Sequence, residues 1–162
     1  MAKLYIAYGS NLNKEQMRNR CKTALFEGTG YIEGYELQFR GFSPSGAHAT
    51  IVPKEGSTVP VGIWTIQSWD EKALDRYEGY PDYYGKQTVQ VVTEDGVIEG
   101  MAYIMEPRMR QGLPSGSYYD TVERGYHDCG LDTDILEKAL EDSCRIVEEH
   151  ARSMRQGGMG MW

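Results

Sequence analysis

Apolar and polar residues alternate in short runs over the first two thirds of this chain, then recur at three- and four-residue intervals towards its end. Lys3 to Tyr8 reads as a strand. It enters the loop Gly9-Ser10-Asn11-Leu12, and a helix follows from about Lys14 to Cys21. Asn13 is placed to cap that helix, with Gln16 completing a capping box and Leu12 and Met17 at the spacing of a hydrophobic staple. Tyr35 to Arg40 alternates with the period of a half-buried strand, and Ala49 to Val52 and Val61 to Ile66 look similar. A short helix is predicted from about Trp69 to Glu78, capped by Ser68 and Glu71, with Trp69, Ala73, Leu74 and Tyr77 as its apolar face. Gly79 and Pro81 end it. Gln87 to Met105 reads as a hairpin turning at Thr93-Glu94-Asp95-Gly96.

Leu113 to Ser117 reads as a turn, and Tyr118 to Tyr126 as a short helix capped by Ser117. The clearest helix comes last: Asp132 is its cap, and Ile135, Leu136, Ala139, Leu140, Ile146, Val147 and Ala151 follow a 3.6-residue period. The expected architecture is α+β, an antiparallel-rich sheet or small barrel flanked by helices. One domain is expected over residues 1–154, with 155–162 a flexible tail.

Composition narrows the chemistry. Acidic residues outnumber basic ones, 24 to 17, and the net charge of −7 argues against nucleic acid or an anionic membrane as partner. Three cysteines, Cys21, Cys129 and Cys144, have no metal-type spacing and read as free thiols. With no signal-peptide or membrane-span pattern, the expected location is cytoplasmic. Tyrosine is over-represented, 12 against 3 Phe, and its apolar ring with a polar tip suits a pocket that is wet at one end.

Several motifs fail on spacing. Gly28, Gly30 and Gly34 precede a strand-like run instead of following one, so they are no dinucleotide loop. His127-Asp128-Cys129 supplies too few ligands for zinc and reads as a surface turn. Two segments remain. The backbone amides of Gly9 to Leu12 lie ahead of a helix N-terminus, so the loop is either an anion cradle or a plain strand-to-helix turn. Glu78 sits one turn after Leu74 at a helix C-terminus. There it is either a solvated helix-end residue or a carboxyl whose pKa is raised by burial and the helix dipole, as acid/base work at neutral pH requires.

Tyr8-Gly9-Ser10-Asn11-Leu12 resembles the Y-G-S-N-L signature of the γ-glutamylcyclotransferase-like superfamily, which includes AIG2-like proteins. Leu74-Asp75 followed by Glu78-Gly79 resembles its L-D-x-x-E-G, in which the Glu is catalytic, and Pro81 with Tyr84 matches the P-x-x-Y that follows. Pro114-Ser115 with Tyr118 resembles P-S-x-x-Y, and Tyr103 stands where one branch of the family places a strand tyrosine. The resemblance runs over roughly residues 3 to 126. It implies a small barrel with a pocket at one mouth, and conversion of a γ-glutamyl amine or amino acid to 5-oxoproline without metal or cofactor. It also implies Glu78 as acid/base, with Tyr8, Gly9, Ser10, Asn11, Leu12, Tyr84, Tyr103 and Tyr118 binding the small-molecule substrate. Two other functions fit the residues: a γ-glutamyl amidase using Cys21 or Cys129 with a histidine, and a non-catalytic binding module.

Overall fold

The computed structural model describes residues 2–157. Six strands, β1 (Lys3–Ala7), β2 (Leu25–Gly41), β3 (His48–Ile66), β4 (Tyr84–Thr93), β5 (Gly96–Met105) and β6 (Arg110–Gln111), are joined by four α-helices. These are α1 (Lys14–Arg20), α2 (Ser68–Glu78), α3 (Gly116–Asp128) and α4 (Asp134–Gly157), and one 3-10 turn spans Ser10–Leu12. Strands β3, β1, β5, β4 and β2 follow one another in hydrogen-bonded order, and β2 pairs back onto β3. The result is a closed five-stranded barrel, as expected. Its pairs are antiparallel except β1 with β5. Strand β6 adds a short extension on β2.

Two strands are much longer than the alternation indicated. β2 begins at Leu25, and its register against β3 slips between Phe26 and Gly28 and between Glu33 and Tyr35. Gly28 and Gly34 sit at those slips with positive φ, 145° and 79°. They are bulge glycines that bend a strand around the barrel, which is why the stretch carries no clean period. Gly30 is required for another reason. A Cβ there would stand 2.5 Å from the Val92 carbonyl oxygen, so the strand crossing that closes the barrel needs its bare backbone. β3 joins the two runs expected separately, with residues 54–57 lying opposite the second slip of β2.

Helix ends also differ in detail. The Asn13 carboxamide accepts from the Gln16 amide as expected, but the Gln16 side chain turns to Arg20 instead of closing the box. α2 is capped one residue early: the Asp70 carboxylate accepts the Gln67 amide, while Glu71 pairs with Lys3 and Lys86. On its expected apolar face Leu74 is buried, but Trp69 and Tyr77 are exposed, at 60% and 42%. Ser115, not Ser117, caps α3 by accepting from the Tyr118 amide. Asp132 accepts from the Asp134 amide just ahead of α4, whose Leu136, Ala139 and Ser143 are buried. The expected tail begins inside α4, which runs to Gly157, and its remainder, 158–162, lies outside the described residues. No described helix is long and apolar enough to cross a membrane.

Candidate active site

The 3-10 turn after β1 is held in place by packing. Leu12 is fully buried; its Cδ2 is beside Gly62 of β3, and its backbone meets Gly125 of α3. A Cβ on Gly125 would lie 2.5 Å from the Asn13 nitrogen and 2.6 Å from the Leu12 carbonyl carbon, so only glycine lets α3 dock against the turn. The Leu12 and Asn13 amides are used within the loop, on the Gly9 and Ser10 carbonyls. Ser10 and Asn11, first in a helical turn, have no intrahelical acceptor for theirs. Gly9 has φ −122°, so a left-handed conformation is not its reason for being glycine. A Cβ there would press on Ala49 Cβ at 3.2 Å and the Tyr118 hydroxyl at 3.3 Å.

Above this loop a pocket opens, lined among others by Tyr5, Tyr8, Gly9, Ser10, Asn11, Ala49, Glu78, Tyr84, Tyr103 and Tyr118. Five of the twelve tyrosines thus converge on it. The Tyr84 hydroxyl donates to the Ala49 carbonyl at 2.6 Å, and the Ala49 amide donates to the Tyr118 oxygen at 3.0 Å. Tyr118 therefore keeps its own hydroxyl hydrogen for another acceptor. Tyr8 donates to the Tyr103 carbonyl. Burial, with Glu78's charge as a further cause, holds the hydroxyls of Tyr5, Tyr8, Tyr84 and Tyr118 above their ordinary range, so they are neutral donors.

Glu78, the last residue of α2, faces both this pocket and an adjoining outer chamber. Its carboxyl has no hydrogen bond or ion pair among the described residues. Burial raises its pKa from 4.5 to about 7, against a smaller lowering influence from Arg20. Gly79, with φ 66°, ends the helix in the left-handed conformation that a glycine adopts without strain. One turn back, Asp75 clamps α2 to the barrel: it accepts the Tyr103 hydroxyl at 2.6 Å and pairs with Lys86 at 3.0 Å. The same helix is tied to the loop, since Ser10 Oγ and the Tyr77 hydroxyl lie 2.7 Å apart. Arg20 stacks on the Tyr77 ring at 3.4 Å and donates to Asn11, whose amide group donates to Tyr5.

Of the residues expected to bind substrate, Tyr8, Gly9, Ser10, Asn11, Tyr84, Tyr103 and Tyr118 line the pocket with Glu78. Leu12 does not: its side chain belongs to the core. The Tyr103 hydroxyl is engaged by Asp75, which makes this residue a pillar of the wall. Tyr5, Arg20, Tyr77, His48 and Tyr83 also surround the site, and sequence reasoning missed them. Tyr77 had a signal, being adjacent to Glu78, but helical spacing assigned it to the core.

The sequence profile described as "Gamma-glutamyl cyclotransferase, AIG2-like" matches residues 5–120, most of the chain. The chain belongs to this family. It is 29% identical to the γ-glutamylcyclotransferases of Mus musculus and Homo sapiens over 143 residues, covering 83% of this chain and 76% of each relative. A solved structure titled "Gamma-glutamyl cyclotransferase" superposes with a TM-score of 0.77 at 28% identity, covering 86% of both chains.

In this member of the γ-glutamyl cyclotransferase, AIG2-like family, Cys21 and Cys129 are structural in setting. Cys21 Sγ points to the Asp70 carbonyl at 3.5 Å, and Cys129 Sγ to the Leu12 carbonyl at 3.4 Å. Burial pushes both thiols up to about 11, the opposite of an activated nucleophile.

Proposed function

We propose that this protein cyclises a γ-glutamyl amine or γ-glutamyl amino acid to 5-oxoproline, releasing the amine, with Glu78 as the single acid/base. The observation that carries the reading is the unpartnered Glu78 carboxyl, with a pKa near 7, at the junction of two cavities. The α-carboxylate enters the inner pocket, on the Ser10 and Asn11 amides, the γ-carbonyl lies beside Glu78 where the two cavities meet, and the leaving amine projects into the outer chamber. Glu78 takes a proton from the α-ammonium. The freed amine attacks the γ-carbonyl carbon, a C–N bond forms, and a five-membered ring closes. Tyr118 donates its remaining hydrogen to the developing oxyanion. The intermediate collapses as Glu78 returns its proton to the leaving nitrogen and the original C–N bond breaks; the second proton of the ring nitrogen then passes through the same carboxylate to the released amine, which departs as an ammonium and leaves a neutral lactam. Nucleophile and electrophile belong to one molecule, so correct folding of the substrate supplies an effective molarity on the order of 10⁵ M or more. No step calls for a metal or cofactor.

The buried, high-pKa thiols disfavour the amidase alternative, and the open Glu78 carboxyl disfavours a merely binding role. The products separate all three. Incubation with γ-glutamyl-alanine is expected to yield 5-oxoproline and alanine by mass spectrometry, equally after mild iodoacetamide treatment. Free glutamate as the product, lost on alkylation, would establish the amidase; no turnover of any γ-glutamyl compound would leave the binding module.

A backbone anchor also predicts an order of sensitivity in the loop. Gly9→Val forces bulk against Tyr118 and Ala49, whereas Ser10→Ala removes only the contact with Tyr77. KM is expected to rise more for Gly9→Val; the reverse order would show that the Ser10 side chain, and not the amides, holds the substrate.

A further inference from the structure

The outer chamber shares Ser10, Glu78, Tyr84 and Tyr118 with the inner pocket and adds His48, Arg76, Tyr77 and Tyr83. Five aromatic side chains, His48, Tyr77, Tyr83, Tyr84 and Tyr118, contribute to its wall. Tyr83 is backed by Phe42, their centroids 5.5 Å apart and planes at 28°, and Phe42 is 76% exposed. His48 meets both Tyr83 and Tyr118 edge-on, with centroids at 5.8 and 4.8 Å, and its Nδ1 lies 3.0 Å from the Tyr83 hydroxyl. Tyr84 also meets the Tyr83 ring edge-on, with centroids at 5.1 Å, so three neighbours fix that ring in the chamber wall, where a further ring can pack on it offset or edge-on.

The charge there is one-sided. Burial lowers the His48 pKa below 6.5, so the imidazole is neutral at pH 7. Arg76 and Glu78 are the charged residues of the lining, and Glu78 is committed to proton transfer. Arg76 is exposed, and its guanidinium has no ion-pair partner among the described residues. Asp82, close in sequence, is exposed and does not line the chamber. A polyamine placed here would meet a like charge, and Glu78, the lone carboxylate of the lining, is taken up by proton transfer, whereas an anionic group finds an unoccupied guanidinium whose donors match a carboxylate.

We infer that the released amine is an aromatic α-amino acid, its carboxylate bound by Arg76 and its ring packed on Tyr83. This rests on the cyclotransfer reading and names its substrate class. The test compares kcat/KM for γ-glutamyl-phenylalanine, γ-glutamyl-alanine, γ-glutamyl-phenethylamine and γ-glutamyl-putrescine, following 5-oxoproline. γ-Glutamyl-phenylalanine is expected to exceed the alanine compound, which lacks the ring, and the phenethylamine compound, which lacks the carboxylate, each by about tenfold or more. The putrescine derivative is expected to be poorest. In Arg76→Met the phenylalanine-to-phenethylamine ratio should fall to within about threefold, while Arg76→Lys retains most of it. In Tyr83→Leu the phenylalanine-to-alanine ratio should fall instead. Melting temperatures confirm that each variant is folded, and each ratio is read within one variant. Ratios near one in the unmodified protein, or a preference for putrescine, overturn the inference and leave cyclotransfer standing. Absence of 5-oxoproline from all four compounds overturns cyclotransfer itself.

Discussion

Glu78→Gln is expected to lower kcat by about 10³- to 10⁴-fold or more, because in the proposed reaction one carboxyl serves both proton transfers and general acid–base catalysis typically contributes about 10²- to 10⁴-fold. Glutamine preserves shape and can hydrogen-bond, but it cannot shuttle a proton at neutral pH. Substrate affinity should persist, since the proposed anchor, the Ser10 and Asn11 amides, belongs to the loop after β1. In the unmodified protein, activity should fall as pH drops through about 7, where Glu78 becomes protonated and can no longer accept the ammonium proton. The same shift has a stability consequence. The carboxyl titrates near 4.5 when unfolded and near 7 when folded, so the folded state binds its proton more tightly. Below pH 4.5 both states are protonated and there is no penalty; the cost builds as pH rises and is complete above about 7. At about 1.4 kcal/mol per pKa unit the ceiling is about 3 kcal/mol, and residual solvent contact reduces it to about 1–2 kcal/mol. The Gln variant should therefore melt higher than the parent at pH 8 and alike at pH 4.5. If it binds ligand, folds and keeps more than about a tenth of wild-type kcat, Glu78 is not the catalyst.

The second large effect is expected far from any titratable group. In Gly125→Ala the new methyl meets backbone at 2.5 and 2.6 Å, not a side chain that can swing away. Either α3 or the loop must retreat. Overpacking costs typically about 1–3 kcal/mol, and a backbone clash belongs at the upper end, so the melting temperature should fall by roughly 6–12 °C. Because the displaced atoms are those of Leu12 and Asn13, the Ser10 and Asn11 amides move with them, and kcat/KM should drop beyond what unfolding explains at 25 °C. Gly116→Ala, in the same helix but with open space around its Cβ, is the control and should melt at or slightly above the parent temperature. Equal melting temperatures for the two variants would mean that α3 does not hold the loop in place.

Local signals made much of this molecule legible. The β4–β5 hairpin declared itself through its turn, α1 through Asn13, and the end of α2 through Gly79, because each depends on residues a few positions apart. The two motifs that carry the family resemblance were legible for the same reason. β2 and β3 were only half visible, since bulges and glycines break the period of strands that must bend to close a barrel. The capping error at α2 arose because Glu71 is engaged by Lys3 and Lys86, which lie on other strands.

Sequence by itself therefore determined the barrel class, the loop after β1 and the placing of Glu78 one turn beyond a buried leucine. What that carboxyl experiences was decided only by tertiary structure. Closure of the barrel brings Tyr5, Tyr84, Tyr103 and Tyr118, more than 100 residues apart at the extremes, around one side chain, while Arg20 and Tyr77 seal the loop from α1 and α2. A helix-end glutamate is ordinarily solvated and acidic. Its surroundings here remove most of its water without supplying a partner, and that desolvation, a property of the assembled fold and of no local segment, moves its pKa to about 7.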